Sequence, residues 1–382
     1  MKPLRRFLDK QKPKFEKGGK LYRFHSFFEA MDTFLFVQNK TTRKGSHIRD
    51  NVDMKRAMIV VIIALFPAFL FGMWNIGYQH FLSTGEDADF FRQVLFGAVK
   101  LIPILVVTYV SGLTIEIVFA QIRRHEVNEG FFVTGFLIPL IVPPDTPLWM
   151  VAIATAFAVL IGKEVFGGTG MNIMNPALLT RAFLFFAYPG SMSGDVVWIA
   201  EKADAYSGAT PLAQVASGDT SSMASLSDMF FGFIPGSIGE TSTAAILIGA
   251  LILIITGIGS LRIMVSVFAG GFLMGLLLNA VAVNPYMELP AHYHLVMGGF
   301  AFGAVFMATD PVTAAQTGLG KIIFGFLIGV FAVLIRVLNP AYPEGMMLAI
   351  LLFNVFAPLI DHYVVAANVR RRIRRAKIKI NS

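Results

Sequence analysis

The sequence predicts an all-α polytopic membrane protein with about ten transmembrane helices, arranged as two inverted five-helix repeats with short or broken helices. The first observation is composition: of 382 residues, 55% are hydrophobic and 15% are charged, whereas about 25% charged residues is usual in soluble domains. The second is that several apolar runs reach the roughly 20 residues that span a bilayer. The third is a weak similarity between two segments that lie five spans apart.

Ten apolar runs define the candidate spans. They cover residues 57–79, 101–120, 130–143, 148–162, 172–188, 243–259, 263–283, 294–308, 321–337 and 346–366. Three of them, 130–143, 148–162 and 294–308, are short for a full crossing. Short or Gly/Pro-interrupted segments are typical of the broken helices around a midplane site in transporters.

The internal similarity relates FFVTGFLIPLIVPPDTP and MNPALLTRAF to GGFAFGAVFMATDPVT and VLNPAYPEGM. The matched positions are Gly135 with Gly303, Asp145 with Asp310, and Asn175, Pro176 and Ala177 with Asn339, Pro340 and Ala341. The offset corresponds to five spans, and an odd number of spans reverses the direction across the membrane. The pattern therefore predicts an inverted-topology repeat, which usually encloses a site between its halves.

Basic residues predict the orientation, because Lys and Arg concentrate in cytoplasmic loops. Residues 1–56 hold 15 basic and 6 acidic residues, and the tail RRRIRRAKIK holds no acid. Both termini are therefore expected on the cytoplasmic side of a bacterial inner membrane, and Arg336 is the one clear exception to the pattern. The predicted parts are a cytoplasmic N-terminal region (1–56), a first five-helix repeat (57–188), an acidic periplasmic loop (189–242), a second five-helix repeat (243–366) and a basic cytoplasmic tail (367–382).

Charge and cysteine content exclude several functions. The net charge of +8 does not indicate nucleic-acid binding, because 22 of the 32 basic residues lie in the two cytoplasmic ends, where they meet anionic membrane lipid. The lack of cysteine excludes disulfides and thiolate-held iron–sulfur clusters. His292 and His294 have no carboxylate at metal-site spacing beside them. No metal site is therefore predicted, and both histidines are expected to be solvated or to face lipid headgroups.

Four ionisable residues within or near the ends of predicted spans are candidates for a function: Glu116, Arg181, Asp310 and Asp361. A carboxylate at bilayer depth is costly and by default indicates an ion or proton pathway. The alternative is an interfacial acid that faces headgroups and water, and it stays open for Asp310 and Asp361, which lie near helix ends. Apolar neighbours on both sides favour a function for Glu116. Arg181 is expected to pair with an acid or an anionic ligand.

The segment GGTGMNIMNPA presents Thr169, Asn172 and Asn175 near the start of a helix. Backbone amides at a helix start can meet a polar ligand, and an Asn side chain offers both a donor and an acceptor. The alternative is that these residues only cap a short helix and bond to their neighbours. The residues alone leave both interpretations open.

The loop segment AYSGATPLAQV, centred on Thr210, also allows two interpretations. Thr is a good N-cap and Pro211 suits the first position of a helix, so the segment is able simply to open a helix. Alternatively, Ser207, Gly208 and Ala209 keep the surroundings small and flexible, so that an enzyme is able to reach the Thr210 hydroxyl and esterify it.

Ser207, Gly208, Ala209 and Thr210, followed by Leu212, resemble the motif on which FMN is attached to threonine by a phosphoester. This motif occurs in the family that contains the B subunit of sodium-translocating NADH:quinone reductases and the D subunit of the Rnf complex. The resemblance runs over nearly the whole chain and includes FEKGGKL, SHIRDNVDMKR, FPAFLFGMWNIG, FGGTGMNIMNPALLTRAFLFFAYP and YSGATPL. The extended N-terminal region GGKLYRFHSFFEAMDTFLF favours the sodium-pump branch of the family.

The resemblance implies two flavins. One is a covalent FMN on Thr210, with Ser207, Gly208 and Ala209 around it, on the periplasmic side. The other is a noncovalent riboflavin between the helices. The residues that the resemblance places at this riboflavin are Asn172, Asn175 and Thr134, and Thr169 is grouped with them as a cofactor-binding residue.

The resemblance also implies quinone reduction and sodium translocation. Gly112 and Glu116 fall in the quinone- and sodium-linked stretch of the second span, and Asp310 and Asp361 match acids implicated in sodium uptake. Leu113 stands where a second glycine is expected, which departs from the family pattern at the quinone pocket. No catalytic residue is assigned.

The implied partners are the other subunits of a six-subunit complex, a flavin transferase, quinone and lipid. NADH oxidation is expected on another subunit, because this chain has no G-x-G-x-x-G after a strand. The rival interpretations are a plain permease or channel with the same repeat, in which the SGAT segment is only a helix cap, and the Rnf subunit, which works between ferredoxin and NAD.

Overall fold

The structure, a computed structural model, describes residues 2–16, 18–22, 54–123, 130–204, 206–218, 223–339 and 344–380, with single positions 25, 28, 32, 36, 42, 45 and 46. All regular structure in these residues is helical. Most of the predicted N-terminal region, Asp219, and Pro340 and Ala341 of the predicted repeat lie outside the described residues. Every candidate site residue lies inside them.

Helices of the first half follow the predicted spans closely. They are α1 (Lys2–Phe15), α2 (Met54–Thr84), α3 (Phe90–Arg123), α4 (Gly130–Leu140), α5 (Leu148–Val159), which continues as a π-helical turn (Leu160–Glu164), and α6 (Pro176–Ala187). The fifth predicted span began at 172, but α6 begins at Pro176 because the Asn175 side chain caps it and Pro fits its first position.

Helices of the second half begin with two short ones in the predicted periplasmic loop, after a 3₁₀ turn (Pro189–Ser191). They are α7 (Pro211–Ala216), α8 (Leu226–Phe231), α9 (Thr243–Ile255), α10 (Leu261–Val281), α11 (Pro285–Glu288), α12 (Tyr293–Val296), α13 (Phe300–Phe302), which continues as a π-helical turn (Gly303–Met307), α14 (Gly318–Leu338) and α15 (Met346–Ile380). The eighth predicted span is thus broken into α12 and α13, and Gly298 between them adopts a left-handed φ of 59°. The tenth extends to Ile380, so the basic tail is largely helical.

Five of these helices are long and apolar enough to cross a membrane: α2, α3, α10, α14 and α15. In α2 and α3, only 22% of the most apolar window is buried inside the protein. The rest of that apolar surface must be covered by lipid or by other chains, since water-exposed apolar area of this extent is rare on soluble proteins. The structure is therefore that of an all-α polytopic membrane protein.

Helix packing in one half resembles packing in the other. α3 packs on α5 as α10 packs on α14, and α5 packs on α6 as α14 packs on α15. Across the halves, α2 contacts α9 and α6 contacts α15. These pairings are the ones expected of two equivalent five-helix units, except that α2 packs extensively on α3 and α9 makes no comparable contact with α10. The inverted repeat stays a prediction.

Glycines allow the closest of these crossings. A Cβ on Gly249 of α9 would collide with the carbonyl oxygen of Ala64 in α2, and a Cβ on Gly270 of α10 would collide with that of Phe326 in α14. Small residues allow this approach of helix backbones in membrane proteins. One detail of the repeat differs from the prediction: Asn175 caps the start of α6, whereas Asn339 ends α14.

Candidate functional site

Two cavities border different parts of the helix α6. The first, here the Asn175 cavity, has a volume of about 100 Å³. Its lining includes the polar residues Thr134, Lys163, Thr169, Asn172, Asn175, Thr309 and Asp310 and the apolar residues Met58, Val61, Val133, Leu137, Leu253 and Phe306. The second, here the Thr210 cavity, has a volume of about 70 Å³. Its lining includes Arg181, Phe185, Ser193, Trp198, Thr210, Leu212, Ser237, Glu240, Thr241 and Glu344.

The Asn175 cavity collects all four residues that sequence comparison placed at riboflavin: Thr134, Thr169, Asn172 and Asn175. The Asn175 Oδ1 accepts hydrogen bonds from the backbone N–H of Ala177 (2.9 Å) and Leu178 (3.3 Å). The Asn172 Nδ2 donates to the carbonyl of Met174 at 3.2 Å. The capping role is therefore present in the structure, and the same side chains also face the cavity.

Glycines shape the loop that carries two of these residues. Gly167, Gly168 and Gly170 have φ values of 122°, 96° and 90°, a left-handed conformation that costs little only for glycine. This backbone path brings Thr169 and Asn172 to the cavity wall beside α4. The GGTG segment is thus a conformational requirement of the Asn175 cavity.

Asp310 and Asp361, predicted together as ion-pathway acids, occupy different environments. Asp310 lines the Asn175 cavity and accepts hydrogen bonds from the Val312 N–H (3.2 Å) and the Thr313 hydroxyl (2.9 Å). Asp361 of α15 does not line that cavity. It accepts from the N–H groups of Gln316 (2.6 Å) and Thr317 (3.0 Å) and from the Thr317 hydroxyl, and so ties α15 to the start of α14.

Glu116 does not line the Asn175 cavity but contacts Lys163, which does. Its Oε1 accepts a hydrogen bond from the ammonium group of Lys163, and both side chains are 4% exposed. No site role was predicted for Lys163 from the sequence; its partner lies 47 residues away, so no local pattern identified it.

Gly112 lies one turn before Glu116 on α3 and serves as a contact point. A Cβ at this position would collide with the ring of Phe131 in α4. Gly112 lines neither cavity. Next to it along α3, an apolar groove of about 390 Å³ opens between α3 and α5, lined by Thr114, Ile115, Val118, Phe119, Ile153, Ala156, Phe157, Leu160 and Phe183.

Thr210 is both an N-cap and a cavity residue. Its Oγ1 accepts a hydrogen bond from the Ala213 N–H at 3.2 Å, and Pro211 is the first residue of α7. The helix-opening interpretation of the segment is therefore confirmed as local structure. Ser207 is exposed and Ala209 is half-buried, while a Cβ on Gly208 would collide with the carbonyl oxygen of Asp195. The hydroxyl borders the Thr210 cavity.

Arg181 is the buried cation of the Thr210 cavity, and it pairs with acids as predicted. Its guanidinium contacts Glu240 Oε1 (2.8 Å), the Ser237 hydroxyl (3.1 Å) and Glu344 Oε1 (2.5 Å). Burial raises the pKa of Glu344 to about 7, and the positive charge of Arg181 opposes that rise. The cavity thus combines one fixed cation, two carboxylates and several hydroxyl groups.

Two sequence-based interpretations near this cavity need correction. His294 is fully buried and stacks on Tyr286, with ring centroids 5.9 Å apart, rather than being solvated or facing headgroups; His292 is exposed. Arg336 is also fully buried and donates to the carbonyl groups of His294 (2.7 Å), Met297 (3.0 Å) and Glu344 (3.0 Å). Its guanidinium satisfies backbone carbonyl groups at α12 and in the segment before α15, inside the protein. It is therefore not a loop charge, which explains why it departs from the charge pattern of the loops.

A single short helix connects the two cavities. Pro176, the first residue of α6, lines the Asn175 cavity, and Arg181 of the same helix lines the Thr210 cavity. Five residues of α-helix correspond to a rise of about 7.5 Å. The same helix therefore borders both cavities, at positions about one and a half helical turns apart.

The chemistry of both linings fits flavins better than their volumes do. Both linings combine hydroxyl groups with aliphatic or aromatic side chains, and the Asn175 cavity adds the amides of Asn172 and Asn175; such a combination suits a planar ligand with a polar edge. Ligand pockets of drug-sized molecules usually exceed about 300 Å³, so either cavity must widen to hold an isoalloxazine ring. The donor set fits, and the side chains around it have to move apart.

Comparison with known proteins gives a consistent picture. A sequence model of the NQR2, RnfD, RnfE family matches residues 41–370. Similar relatives include proteins named as the B subunit of Na(+)-translocating NADH-quinone reductase from Ectopseudomonas mendocina (51% identical, 97% of this chain and 99% of the relative) and from Chromohalobacter salexigens (50%, 97% and 96%). The protein of the same name from Azotobacter vinelandii is 49% identical, over 97% of this chain and 99% of its own.

Proposed function

Because the chain belongs to the NQR2, RnfD, RnfE family, we propose that it is the membrane-embedded B subunit of a sodium-translocating NADH:quinone reductase. In this proposal, electrons pass from a covalent FMN on Thr210 through riboflavin in the Asn175 cavity to quinone, coupled to sodium translocation. The observation that carries it is that α6 borders both cavities, with Pro176 at the Asn175 cavity and Arg181 at the Thr210 cavity. Relatives that bear the B-subunit name and match over 96–99% of their length favour this interpretation over the Rnf subunit.

Attachment of FMN to Thr210 is compatible with its capping role. An ester oxygen keeps lone pairs, so the Ala213 N–H is able to donate to it after the phosphoester has formed. The half-exposed position of Thr210 gives a transferase access, and Arg181 and Trp198 line the adjoining cavity. FMN supplies electron transfer when bound; Arg181 provides the cation next to it.

Riboflavin in the Asn175 cavity would be held by Thr134, Thr169, Asn172 and Asn175, with Met58, Val61, Leu137 and Phe306 as apolar walls. Riboflavin supplies electron transfer when bound. The polar residues of this chain orient it, and the apolar walls exclude water.

Quinone and sodium are the proposed substrates at the same end of the bundle. The apolar groove beside Gly112 and Glu116 suits the hydrocarbon tail of a quinone. Sodium would pass Glu116, Asp310 and Asp361, whose carboxylates lower the cost of a cation at bilayer depth. Both termini would then lie in the cytoplasm and the Thr210 loop in the periplasm of a bacterial inner membrane. The other subunits of the complex supply the NADH site, and a flavin transferase loads Thr210.

The test of this proposal is in-gel flavin fluorescence of the denatured chain after expression with a flavin transferase. We expect a fluorescent band in the wild type and in Ser207→Ala, a neighbouring hydroxyl that serves as the control, and no band in Thr210→Ala. A dark wild-type band, with the transferase active on another substrate, would overturn the proposal and favour a permease or channel in which the SGAT segment is only a helix cap.

A further inference from the structure

The buried pair of Lys163 and Glu116 lies between the Asn175 cavity and the inside of the α3–α5 interface. The Lys163 ammonium group contacts Glu116 Oε1, and its side chain also forms part of the cavity wall. The two residues are the only oppositely charged pair in the described part of the chain with one member at this wall. The charge of Glu116 therefore determines how far the positive charge of Lys163 at the cavity wall is neutralised.

Only one of the two carboxylate oxygens of Glu116 has a hydrogen-bond partner among the described residues. The second oxygen, Oε2, is buried and lacks one there. Buried carboxylate oxygens without partners are rare, because the loss of hydration is not repaid. The Lys163 ammonium group is thus the main neutralising contact of this carboxylate, and Glu116 in turn limits how far that ammonium group leans toward the cavity.

The backbone beneath Lys163 is fixed by its neighbour. Lys163 and Glu164 lie in the π-helical turn at the end of α5, an irregularity frequent at functional sites. Arg123 of α3 holds this turn through both the carboxylate of Glu164 (3.0 Å) and its backbone carbonyl (2.5 Å). The movable part is the four-carbon stem of Lys163, which carries three donors on its ammonium group.

We propose that Lys163 is a cofactor-facing positioning residue, whose ammonium group donates to the polar edge of a planar, carbonyl-bearing ligand in the Asn175 cavity, and that Glu116 sets the charge which that ligand experiences. This inference rests on the proposed function, since the ligand is the noncovalent flavin. No bond to Lys163 forms or breaks; its ammonium group would stabilise the negative charge added by an electron from the covalent FMN of the proposed function. Glu116 thereby influences the flavin without touching it.

The pair allows a test in which the two single variants should shift the midpoint potential of the noncovalent flavin in opposite directions. In the purified complex, the midpoint potential of the noncovalent flavin is measured by redox titration for the wild type, Glu116→Gln, Lys163→Gln and the double variant. Glu116→Gln should raise the potential, because the positive charge is no longer neutralised. Lys163→Gln should lower it, because a negative charge remains. The midpoint potential of the double variant should lie below that of Glu116→Gln by at least about 59 mV. For one electron this difference corresponds to a tenfold loss in the stability of the reduced flavin.

A control removes a charged pair away from this interface. Arg92→Gln with Glu86→Gln also neutralises one cation and one carboxylate, but neither residue lines the cavity or contacts the turn that carries Lys163, so the potential should stay as in the wild type. Equal potentials in Glu116→Gln and the double variant would overturn the inference and leave the proposed function intact. Loss of flavin from the double variant but not from the control supports it, whereas loss from both overturns it. A wild-type complex without noncovalent flavin would instead refute the proposed riboflavin site.

Discussion

Both cavities place polar side chains inside an apolar helical bundle, but they are built from different elements. The Asn175 cavity is built by ends and irregular turns of the main helices, and its buried cation, Lys163, has a single carboxylate partner. The Thr210 cavity is closed on one side by the short helix α7 of a loop, and its buried cation, Arg181, is shared by two carboxylates and a hydroxyl. A lysine with one partner is able to change partners, whereas a guanidinium held at three points is a fixed part of the wall. The difference indicates that the charge at the interior Asn175 cavity is adjustable, whereas the wall of the accessible Thr210 cavity is rigid.

Removing Arg181 should have the largest effect. Arg181→Ala leaves Glu240 and Glu344 without their cation, and breaking such a buried pair costs about 3–5 kcal/mol in the free energy of unfolding. Thermal unfolding of the purified protein in detergent measures the loss. Arg92→Ala is the control, because Arg92 and Glu86 are 56% and 57% exposed and such pairs contribute about 0–1 kcal/mol. Equal losses in the two variants would contradict the fixed-wall description of the Thr210 cavity.

The next largest difference is expected between variants of Asp361 and Asp310. Asp361→Ala removes three hydrogen bonds to the start of α14, and we expect a loss of about 1–3 kcal/mol in the free energy of unfolding. Asp310→Ala changes the wall of the Asn175 cavity and should mainly lower the content of noncovalent flavin. The two readouts are thermal unfolding and flavin extracted per chain. If Asp361→Ala stops sodium transport without loss of stability, Asp361 acts on the ion pathway directly.

Asn175 tests whether the two cavities are independent. Asn175→Ala removes the cap of α6, which is worth about 1 kcal/mol, and a polar group of the cavity. The noncovalent flavin should decrease while in-gel fluorescence at Thr210 stays unchanged. Asn175→Ser retains a capping hydroxyl and should restore stability but not full flavin binding. A parallel loss of both flavins would mean that α6 transmits the damage from one cavity to the other.

The smallest expected effect is a dependence on pH at the Thr210 cavity. The raised pKa of Glu344, about 7 against an ordinary 4.5, means that the folded protein holds a proton which the unfolded chain releases at lower pH. The free energy of unfolding should therefore decrease as the pH rises from about 4.5 to about 7. Glu344→Gln should abolish this contribution, and Glu288→Gln, an exposed carboxyl in α11, should not.

Local pattern predicted much of this molecule. Each of the ten apolar runs overlaps a helix, although the eighth is broken into α12 and α13, because a span of about 20 apolar residues is a property of consecutive residues. Capping at Thr210 and Asn175 followed from contacts within three residues along the chain. Resemblance to the family then grouped Thr134, Thr169, Asn172 and Asn175, and the structure places all four at one cavity.

Only the tertiary structure decided which charges meet. Lys163 and Glu116 are 47 residues apart and Arg181 and Glu240 are 59 apart. Arg336 was read as a misplaced loop charge and His294 as a solvated residue until packing buried both of them. Asp361 looked equivalent to Asp310, yet α14 supplies its donors. By itself, the sequence determined the helices and their caps, because these depend on residues a few positions apart. The packing of α3 on α5 and of α6 beside the loop before α9 selected the ion pairs, because a buried charge takes the partner that the fold brings within reach.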